Sequence, residues 1–285
     1  MLPGVELHYA KHWWQGKCVF HFLGSLNRRS ANDTLNQAYG IEFYDKVPFN
    51  PPLREDTPRI PDPYAENIFY YAQYDILARA AEGKPWTFCE IRPDVIVGFV
   101  PQNNFMNMAQ GLALFFSLYR EVEGEGAEVR FPYGEEAWTA LHTDTSADVL
   151  GRFHVFASLQ APEMVAGKAF NVADGPATTW KELWPKLAGY FGLVGTGPGT
   201  GGESSLTSWI QARKGDWTGL EAKKGLKDGA MEGTGFDFVD AVMGLPIRRD
   251  YDSTARRQAG FTEMRDQFEG YRIAFDEMRA ATIIP

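Results

Sequence analysis

The chain has 285 residues, of which 44% are hydrophobic and 23% are charged, and its formal net charge is −9. These values are typical of a globular protein with enough residues for one large domain or two small ones. The acidic balance argues against nucleic acid as a partner, because a phosphate backbone would be repelled. No run approaches 18 apolar residues, so the sequence predicts no membrane span.

Cysteine and histidine are too sparse to indicate a metal centre. Cys18 and Cys89 are the only cysteines, which favours a reducing, cytoplasmic location over a disulfide framework. His8 and His12 have i,i+4 spacing, but no neighbouring Glu, Asp or Cys pattern supports a metal there. The N-terminus lacks a basic start followed by an apolar run, so no signal peptide is predicted.

The first part of the chain alternates between irregular and periodic segments. Residues 1–33 show poor periodicity, although KCVFHFLG (17–24) favours a strand. Residues 41–63 are dense in proline, which disfavours both helices and inner strands, so a loop is predicted. A helix is predicted over 65–82 and closed by Gly83.

From residue 86 onward, strands and helices are predicted to alternate. WTFCEIRPDVIVGFV (86–100) is almost continuously apolar, which indicates a buried parallel strand. Helices are predicted at 105–121, 147–160, 179–191 and most of 253–282, and strands at 127–132 and 168–175. Thr179 and Glu182 fit a helix capping box. This alternation predicts an α/β fold with a parallel sheet, whose ligands lie beyond the carboxyl ends of the strands, including RPDVIVGFVPQNN (92–104).

One glycine-rich segment fits a dinucleotide fingerprint. GPGTGG (197–202) matches G-x-G-x-x-G, a motif that requires a strand before it and a helix after it. The predicted element before it is the helix 179–191, and Pro198 lies inside the match. The favoured interpretation is therefore a flexible linker.

Several stretches together resemble the progesterone 5β-reductase/iridoid synthase-like (PRISE-like) family of atypical short-chain dehydrogenases/reductases. The resemblance covers about residues 34–285 and is similar to the fungal branch, whose members often accompany secondary metabolism. It rests on AYGIEFY (38–44), IFYYAQYDIL (68–77), IRPDVIVGFVP (91–101), MNMAQGLALFFSLYREVEG (106–124), TDTSADVL (143–150), KAFNVADGPATTWKELWPKLAGYFGL (168–193) and FVDAVMG (238–244).

The resemblance implies a Rossmann-like parallel sheet and a mainly helical substrate region at about 194–285. It also implies NADPH-dependent 1,4-reduction of the carbon–carbon double bond of enones, with small apolar metabolites as substrates. The second tyrosine of the FYY motif is Tyr71, which would stabilise the enolate oxygen. Pro93 and Ile96 fall near the nicotinamide, and Asn104, Met106 and Phe238 fall at the substrate pocket.

The residues themselves leave another role open for Tyr71. Its ring could lie in the core with its hydroxyl bound by backbone groups, as for an ordinary helix tyrosine. Tyr70 and Tyr74, which lie one turn apart, are assigned to packing. Arg92 is assigned to structural hydrogen bonding rather than to ligand binding.

Two departures from the family pattern stand out. The resemblance implies a lysine, at the end of a TG-x-K segment, that assists the tyrosine. This segment corresponds to residues 34–37, so Gln37 occupies the lysine position and carries no charge. The ordinary Y-x-x-x-K spacing gives no lysine either, because Asp75 is the fourth residue after Tyr71. The family's glycine-rich nucleotide half precedes residue 34, and two βαβ units need roughly 60 residues or more. We therefore expect an unassigned segment at 1–33 and a domain at 34–285. This domain would be truncated at its N-terminus and would lack the glycine-rich loop that binds the pyrophosphate of NADPH.

These departures leave two alternatives to an enone reductase. The chain could be a non-redox descendant that binds an apolar metabolite and promotes its cyclisation or isomerisation by proximity. It could also be an inactive truncated product. A sheet without the strands of the nucleotide half would expose an apolar edge unless residues 1–33 or a partner covered it. Formation of a homodimer is therefore a further possibility.

Overall fold

The computed structural model describes residues 19–21, 37–101, 105–199 and 205–285. Its strands are β1 Val19–His21, β2 Phe88–Pro93, β3 Val95–Val97, β4 Glu128–Arg130, β5 Asp144–Ser146, β6 Ala169–Val172 and β7 Val194–Thr196. The described strand ladders are all parallel and form the groups β1-β2-β6, β3-β5 and β4-β7. This pairing, with helices between the strands, confirms the predicted Rossmann-like α/β class.

Helices connect these strands and make up the elements described after β7. They are α1 Phe69–Ala81, α2 Met108–Glu123, α3 Glu135–Thr139, α4 Ala147–Ser158, α5 Pro162–Val165, α6 Trp180–Tyr190, α7 Leu206–Gln211, α8 Lys214–Lys224, α9 Phe236–Met243, α10 Thr254–Gln258 and α11 Gln267–Ala280. Short 3-10 turns lie at Gln37–Tyr39, Ile41–Phe43 and Tyr64–Asn67. Within the described ranges, no helix combines the length and the apolar character that crossing a membrane requires.

The prediction of one strand over 86–100 is wrong, because the chain breaks at Asp94 into β2 and β3, which belong to different sheets. The backbone N–H of Asp94 donates to Thr145 Oγ1 at 2.9 Å instead of to a strand neighbour. Its carboxylate accepts the backbone N–H of Val95 at 2.7 Å. These side-chain bonds replace the ladder at this residue and redirect the chain towards β5.

The edge of β2 is covered by a strand from the N-terminal segment. The predicted strand within 17–24 is confirmed as β1, and Val19 pairs with Phe88 in parallel register. Residues 19–21 therefore share a sheet with β2 and β6, although the sequence assigned the segment 1–33 to no domain. The His8 and His12 pair lies outside the described residues.

The main core surrounds α2, which is buried from Met108 to Leu118. Asn107 begins this helix, and its side chain accepts the backbone N–H of Gln110 at 3.0 Å. Phe116 packs against Trp184 of α6, with ring centroids 4.7 Å apart. Burial of these large rings supplies much of the apolar contact that holds the helical layer against the strands.

Helix α6 confirms half of the predicted capping box. Thr179 Oγ1 accepts the backbone N–H of Glu182 at 3.3 Å. The Glu182 carboxylate does not complete the box through Thr179, since it accepts from the hydroxyl of Thr178 at 3.1 Å. The carboxylate thus still ties the start of the helix to the preceding residue.

A buried ionic network joins β3 and β5 to the C-terminal helices. Arg249 donates to Asp94 at 2.6 Å and to Asp144 at 3.0 Å, and all three side chains are almost fully buried. The Asp94 carboxylate also accepts the hydroxyl of Thr143 at 2.7 Å, and Asp144 accepts that of Tyr271 from α11 at 2.9 Å. One arginine therefore compensates two carboxylates whose burial raises their pKa.

A short strand, and not the predicted helix, precedes the glycine-rich segment. The strand β7 (Val194–Thr196), rather than a helix, comes directly before Gly197, and α7 begins at Leu206. The sequence pattern missed β7 because it has only three residues and follows the helix α6 closely. Residues 200–202 of the segment lie outside the described residues, so its assignment as a linker stays a prediction.

Candidate active site

Tyr71 lies on the first turns of α1 and is 9% exposed. Its hydroxyl donates to the backbone carbonyl of Ala38 at 2.9 Å and accepts the backbone N–H of Ile60 at 3.1 Å. The ring packs in a small cluster with Val47, Ile60 and Ile68 beneath the proline-rich loop. The buried ring and the backbone-bound hydroxyl match the alternative that the sequence left open for Tyr71, and the two bonds hold the hydroxyl in a fixed orientation.

Gln37 comes directly before Ala38, the residue whose carbonyl accepts the Tyr71 hydroxyl. It is 4% exposed, and its Nε2 donates to Glu42 Oε1 at 2.5 Å. Because the carbonyl of the next residue, Ala38, accepts the Tyr71 hydroxyl, Gln37 lies one residue from a hydrogen-bond partner of Tyr71. The predicted roles of both residues stay predictions.

Arg59 of the proline-rich loop lies across the same face of α1. Its guanidinium carbon is 4.8 Å from the ring centroid of Tyr71 and 5.6 Å from that of Tyr74. Asp75 accepts two hydrogen bonds from it, at 2.7 and 3.0 Å. Asp75 thus pairs with a cation at the surface.

Opposing effects act on the pKa of Tyr71. Burial raises it above the ordinary value of 10.0, and this is the largest effect. The backbone N–H of Ile60 and the positive charges of Arg92 and Arg59 lower the pKa, whereas Glu90 raises it. The net result is a raised pKa, so Tyr71 is protonated at neutral pH and available as a hydrogen-bond donor.

The other two tyrosines of α1 make packing contacts, as predicted. The Tyr74 ring meets Phe88 of β2 edge-on at 5.2 Å, and its hydroxyl donates to the carbonyl of Gly167 at 3.0 Å. The Tyr70 ring lies 4.1 Å from that of Phe69. These contacts anchor α1 and leave Tyr71 as its buried tyrosine.

We expect Gly40→Ala to destabilise the protein more than Gly83→Ala. Both glycines have a positive φ, +73° and +65°, which costs an alanine about 1–2 kcal/mol. A Cβ at Gly40 would also lie 2.6 Å from Ile60 Cγ2, whereas one at Gly83 would meet nothing within 4 Å. The extra loss, about 1–3 kcal/mol, is measured by urea unfolding. Equal losses in the two variants would show that Ile60 is not held against Gly40.

A polar cluster centred on Tyr39 lies at the carboxyl ends of β2 and β6. The Tyr39 hydroxyl donates to Asn171 Oδ1 at 2.6 Å and accepts from Arg92 at 3.2 Å. Arg92 also binds Glu90 at 2.7 Å, and these contacts confirm its structural hydrogen bonding. Burial raises the pKa of Tyr39 to about 12. Tyr39 further meets Tyr251 edge-on at 5.6 Å, which extends the cluster towards β3.

One of the two predicted nicotinamide contacts, Pro93, lies near this cluster, whereas Ile96 packs in an apolar one. Pro93 ends β2, and its carbonyl accepts the Tyr251 hydroxyl at 3.3 Å. Ile96 lies on β3, is partly buried and packs against the cluster of Ile91 and Val149. Pro93 therefore lies at the carboxyl end of a parallel strand, where α/β folds bind ligands.

The predicted substrate contacts lie in the main core. Phe238 on α9 is 3% exposed, and Met106 is partly buried against the same core. The backbone N–H of Gly235 donates to the carbonyl of Phe105 at 3.0 Å, so the start of α9 lies against the segment that carries Met106. Asn104 lies outside the described residues. Contact of any of these residues with substrate stays a prediction.

Sequence reasoning gave no role to Tyr39, Asn171 or Arg59. Tyr39 and Asn171 lie inside the stretches AYGIEFY and KAFNVADG, and a polar residue within an apolar strand was the available signal for Asn171. Arg59 belongs to a loop without periodicity, so its position over α1 had no signal in the sequence.

Comparisons with known proteins give one family and several relatives. A family model described as the PRISE-like Rossmann-fold domain matches residues 27–285. The short chain dehydrogenase sirQ of Leptosphaeria maculans is 35% identical over 90% of this chain and 65% of that protein. The (S)-8-oxocitronellyl enol synthase ISY1 of Nepeta racemosa is 29% identical over 83% of this chain and 58% of that protein.

Among solved structures, RMD from Pseudomonas aeruginosa complexed with NADPH matches with a TM-score of 0.47 and 13% identity. The match covers 86% of this chain and 64% of that chain. The chain spans less than two thirds of the length of both curated relatives described above.

Proposed function

Because the chain belongs to the family of PRISE-like Rossmann-fold domains, we propose that it reduces the carbon–carbon double bond of small apolar enones. The observation that carries the proposal is the 2.9 Å hydrogen bond between the Tyr71 hydroxyl and the carbonyl of Ala38. It supports the proposal because Tyr71, which we assign as the acidic tyrosine, then lies beside the segment that begins at Gln37. The name of the Nepeta racemosa relative, an enol synthase, supports chemistry in which an enol or enolate oxygen is stabilised.

We assign the nicotinamide end of the cofactor to the carboxyl end of β2 and to the neighbouring strand β3. Pro93 lies at the carboxyl end of β2, and β3 with Ile96 follows one residue later. When bound, NADPH would supply the hydride that adds to the β-carbon of the enone. Pro93 at the carboxyl end of β2 and Ile96 on β3 would hold the ring of the cofactor.

Tyr71 would act on the carbonyl oxygen of the substrate. As the β-carbon gains a hydride, negative charge moves to that oxygen, and a preorganised O–H donor stabilises it. The proton used is the one that Tyr71 donates to Ala38, so substrate binding has to replace that contact. The backbone N–H of Ile60 would keep the phenol oriented and favour its oxygen as charge develops there.

A non-redox function is the second candidate, and the lack of charge on Gln37 favours it. A neutral side chain occupies the lysine position and is held by Glu42. Without a cation there, the site could bind and orient an apolar carbonyl compound for cyclisation or isomerisation through the Tyr71 hydrogen bond alone. This candidate predicts substrate turnover without consumption of NADPH.

The proposed reduction is tested by following NADPH absorbance with a cyclic enone and, as the control, with the corresponding saturated ketone. We expect consumption with the enone only, because 1,4-addition requires the conjugated double bond. Titration with NADPH, followed by nicotinamide fluorescence, measures cofactor binding separately. The absence of binding up to millimolar NADPH would exclude the reductase.

A further inference from the structure

Three residues of α1 form one face on which an arginine from the proline-rich loop lies. Tyr71, Tyr74 and Asp75 have i, i+3 and i+4 spacing, so their side chains project from the same side of the helix. Arg59 crosses this face, with both terminal nitrogens bound to Asp75 and its guanidinium 4.8 Å from the Tyr71 ring. It also donates to the backbone carbonyl of Tyr71, at 3.4 Å.

Asp75 occupies the position where the ordinary Y-x-x-x-K spacing would have a lysine, and Gln37 occupies the other lysine position. Instead of supplying a cation, Asp75 binds one from the loop. We infer that Arg59, positioned by Asp75, supplies the positive charge that acts on Tyr71 in place of the missing lysine. This inference rests on the proposed function of Tyr71.

The loop connects Arg59 to the phenol oxygen through the next residue. Ile60 follows Arg59, and its N–H donates to Tyr71 Oη at 3.1 Å. Arg59 therefore brings a guanidinium group to the ring face of Tyr71, and Ile60 brings a backbone N–H donor to the phenol oxygen of the same residue. Gly40 permits this approach, because a Cβ there would lie 2.6 Å from the Ile60 side chain.

Other charges around Tyr71 come from β2. Arg92 lowers the Tyr71 pKa more than Arg59 does, Glu90 raises it, and Arg92 and Glu90 form a 2.7 Å ion pair with each other. Arg59 is the charged residue on the loop side of the ring. Its side chain is 44% exposed, so a modest effect is expected, of the size of a cation–π contact near the surface.

The test replaces Tyr71 by 3,5-difluorotyrosine, whose phenol ionises near neutral pH, and follows its ¹⁹F resonance during titration. We expect the pKa of this single site to rise in Arg59→Met and to change less in Arg59→Lys. The matched control is Arg54→Met, which removes another carboxylate-paired arginine from the same loop, and we expect no rise there. The inference is overturned if Arg59→Met and Arg54→Met titrate alike.

A double-mutant cycle tests the role of Asp75. If Asp75 positions Arg59, the effect of Arg59→Met on the Tyr71 titration is smaller in the Asp75→Asn background. Equal effects in both backgrounds would remove Asp75 from the inference. Unchanged melting of the variants separates these results from unfolding.

Enzyme kinetics provide a second and separate readout. With natural Tyr71, Arg59→Met is expected to lower kcat/KM for enone reduction roughly two- to fivefold, while Arg54→Met leaves it unchanged. If even the unmodified protein reduces no enone, the proposed function fails. The ¹⁹F titration still decides whether Arg59 acts on Tyr71.

Discussion

Arg249→Met is expected to lower the free energy of unfolding by about 3–5 kcal/mol, the usual cost of removing one partner from a buried ion pair. The substitution leaves Asp94 and Asp144 facing each other without their cation. Both carboxyl groups are fully buried, and methionine offers them no donor. Urea unfolding followed by tryptophan fluorescence measures the loss.

The matched control is Arg248→Met. This neighbouring arginine also pairs with a carboxylate, that of Asp250, but the arginine side chain is 47% exposed whereas the carboxylate is 8% exposed. Because water reaches the arginine end of this pair, we expect the control to lose less stability than Arg249→Met does. Equal losses in the two variants would contradict the buried network.

The loss in Arg249→Met should also depend on pH. Burial raises the pKa of Asp94 from 3.8 to about 7, and Arg249 opposes this rise. Without Arg249 the pKa rises further, so the folded variant holds a proton that the unfolded chain releases. Below about pH 7 the folded protein holds this proton with or without Arg249, so the extra destabilisation of the variant is smallest in acid and grows as the pH rises above about 7. A loss that is largest in acid would contradict this assignment.

Tyr71→Phe is expected to lower kcat for enone reduction by about 10²- to 10³-fold, as for removal of one oxyanion donor. The phenyl ring that remains fills the cluster with Ile60 and Ile68, so the change removes only the hydroxyl group. Leaving the Ile60 N–H and the Ala38 carbonyl unpaired costs about 1–3 kcal/mol of stability. Stopped assays below the melting temperature separate the two effects.

Tyr74→Phe is the control for this variant. Its hydroxyl lies on the same helix and donates to a backbone carbonyl, that of Gly167, away from the Ala38 segment. We expect activity close to that of the unmodified protein. A comparable loss of activity in Tyr74→Phe would show that hydroxyls on α1 act through stability and not through the substrate oxygen.

Much of the fold could be predicted because local patterns decide it. The 3.6-residue periodicity predicted α2 and α6 with small boundary errors, and the apolar run over 86–100 indicated strand but merged β2 and β3 into one. The break at Asp94 could not be predicted, since the bond that causes it comes from Thr145, 51 residues further along the chain. The pairing of β1 with β2 is equally non-local, because a three-residue strand gains its stability from its neighbour.

The candidate site likewise has a part that local sequence predicted and a part that depends on distant contacts. The FYY motif singled out Tyr71, and the structure brings it against the segment after Gln37. Its other partners, Arg59 and Ile60, belong to the proline-rich loop, whose sequence specifies the absence of helix and strand but not where the loop packs. The Asp75–Arg59 pair shows why an apparent loss of the lysine position could not be interpreted from spacing alone.

Transfer of deuterium from NADPH labelled at the nicotinamide C4 tests the central claim most directly. The reductase account predicts a saturated carbonyl product that carries deuterium at its β-carbon, formed by the unmodified protein and strongly diminished in Tyr71→Phe. Conversion of the enone to a cyclised or isomerised product without deuterium would contradict reduction and support the non-redox function. Recovery of unchanged enone would contradict both.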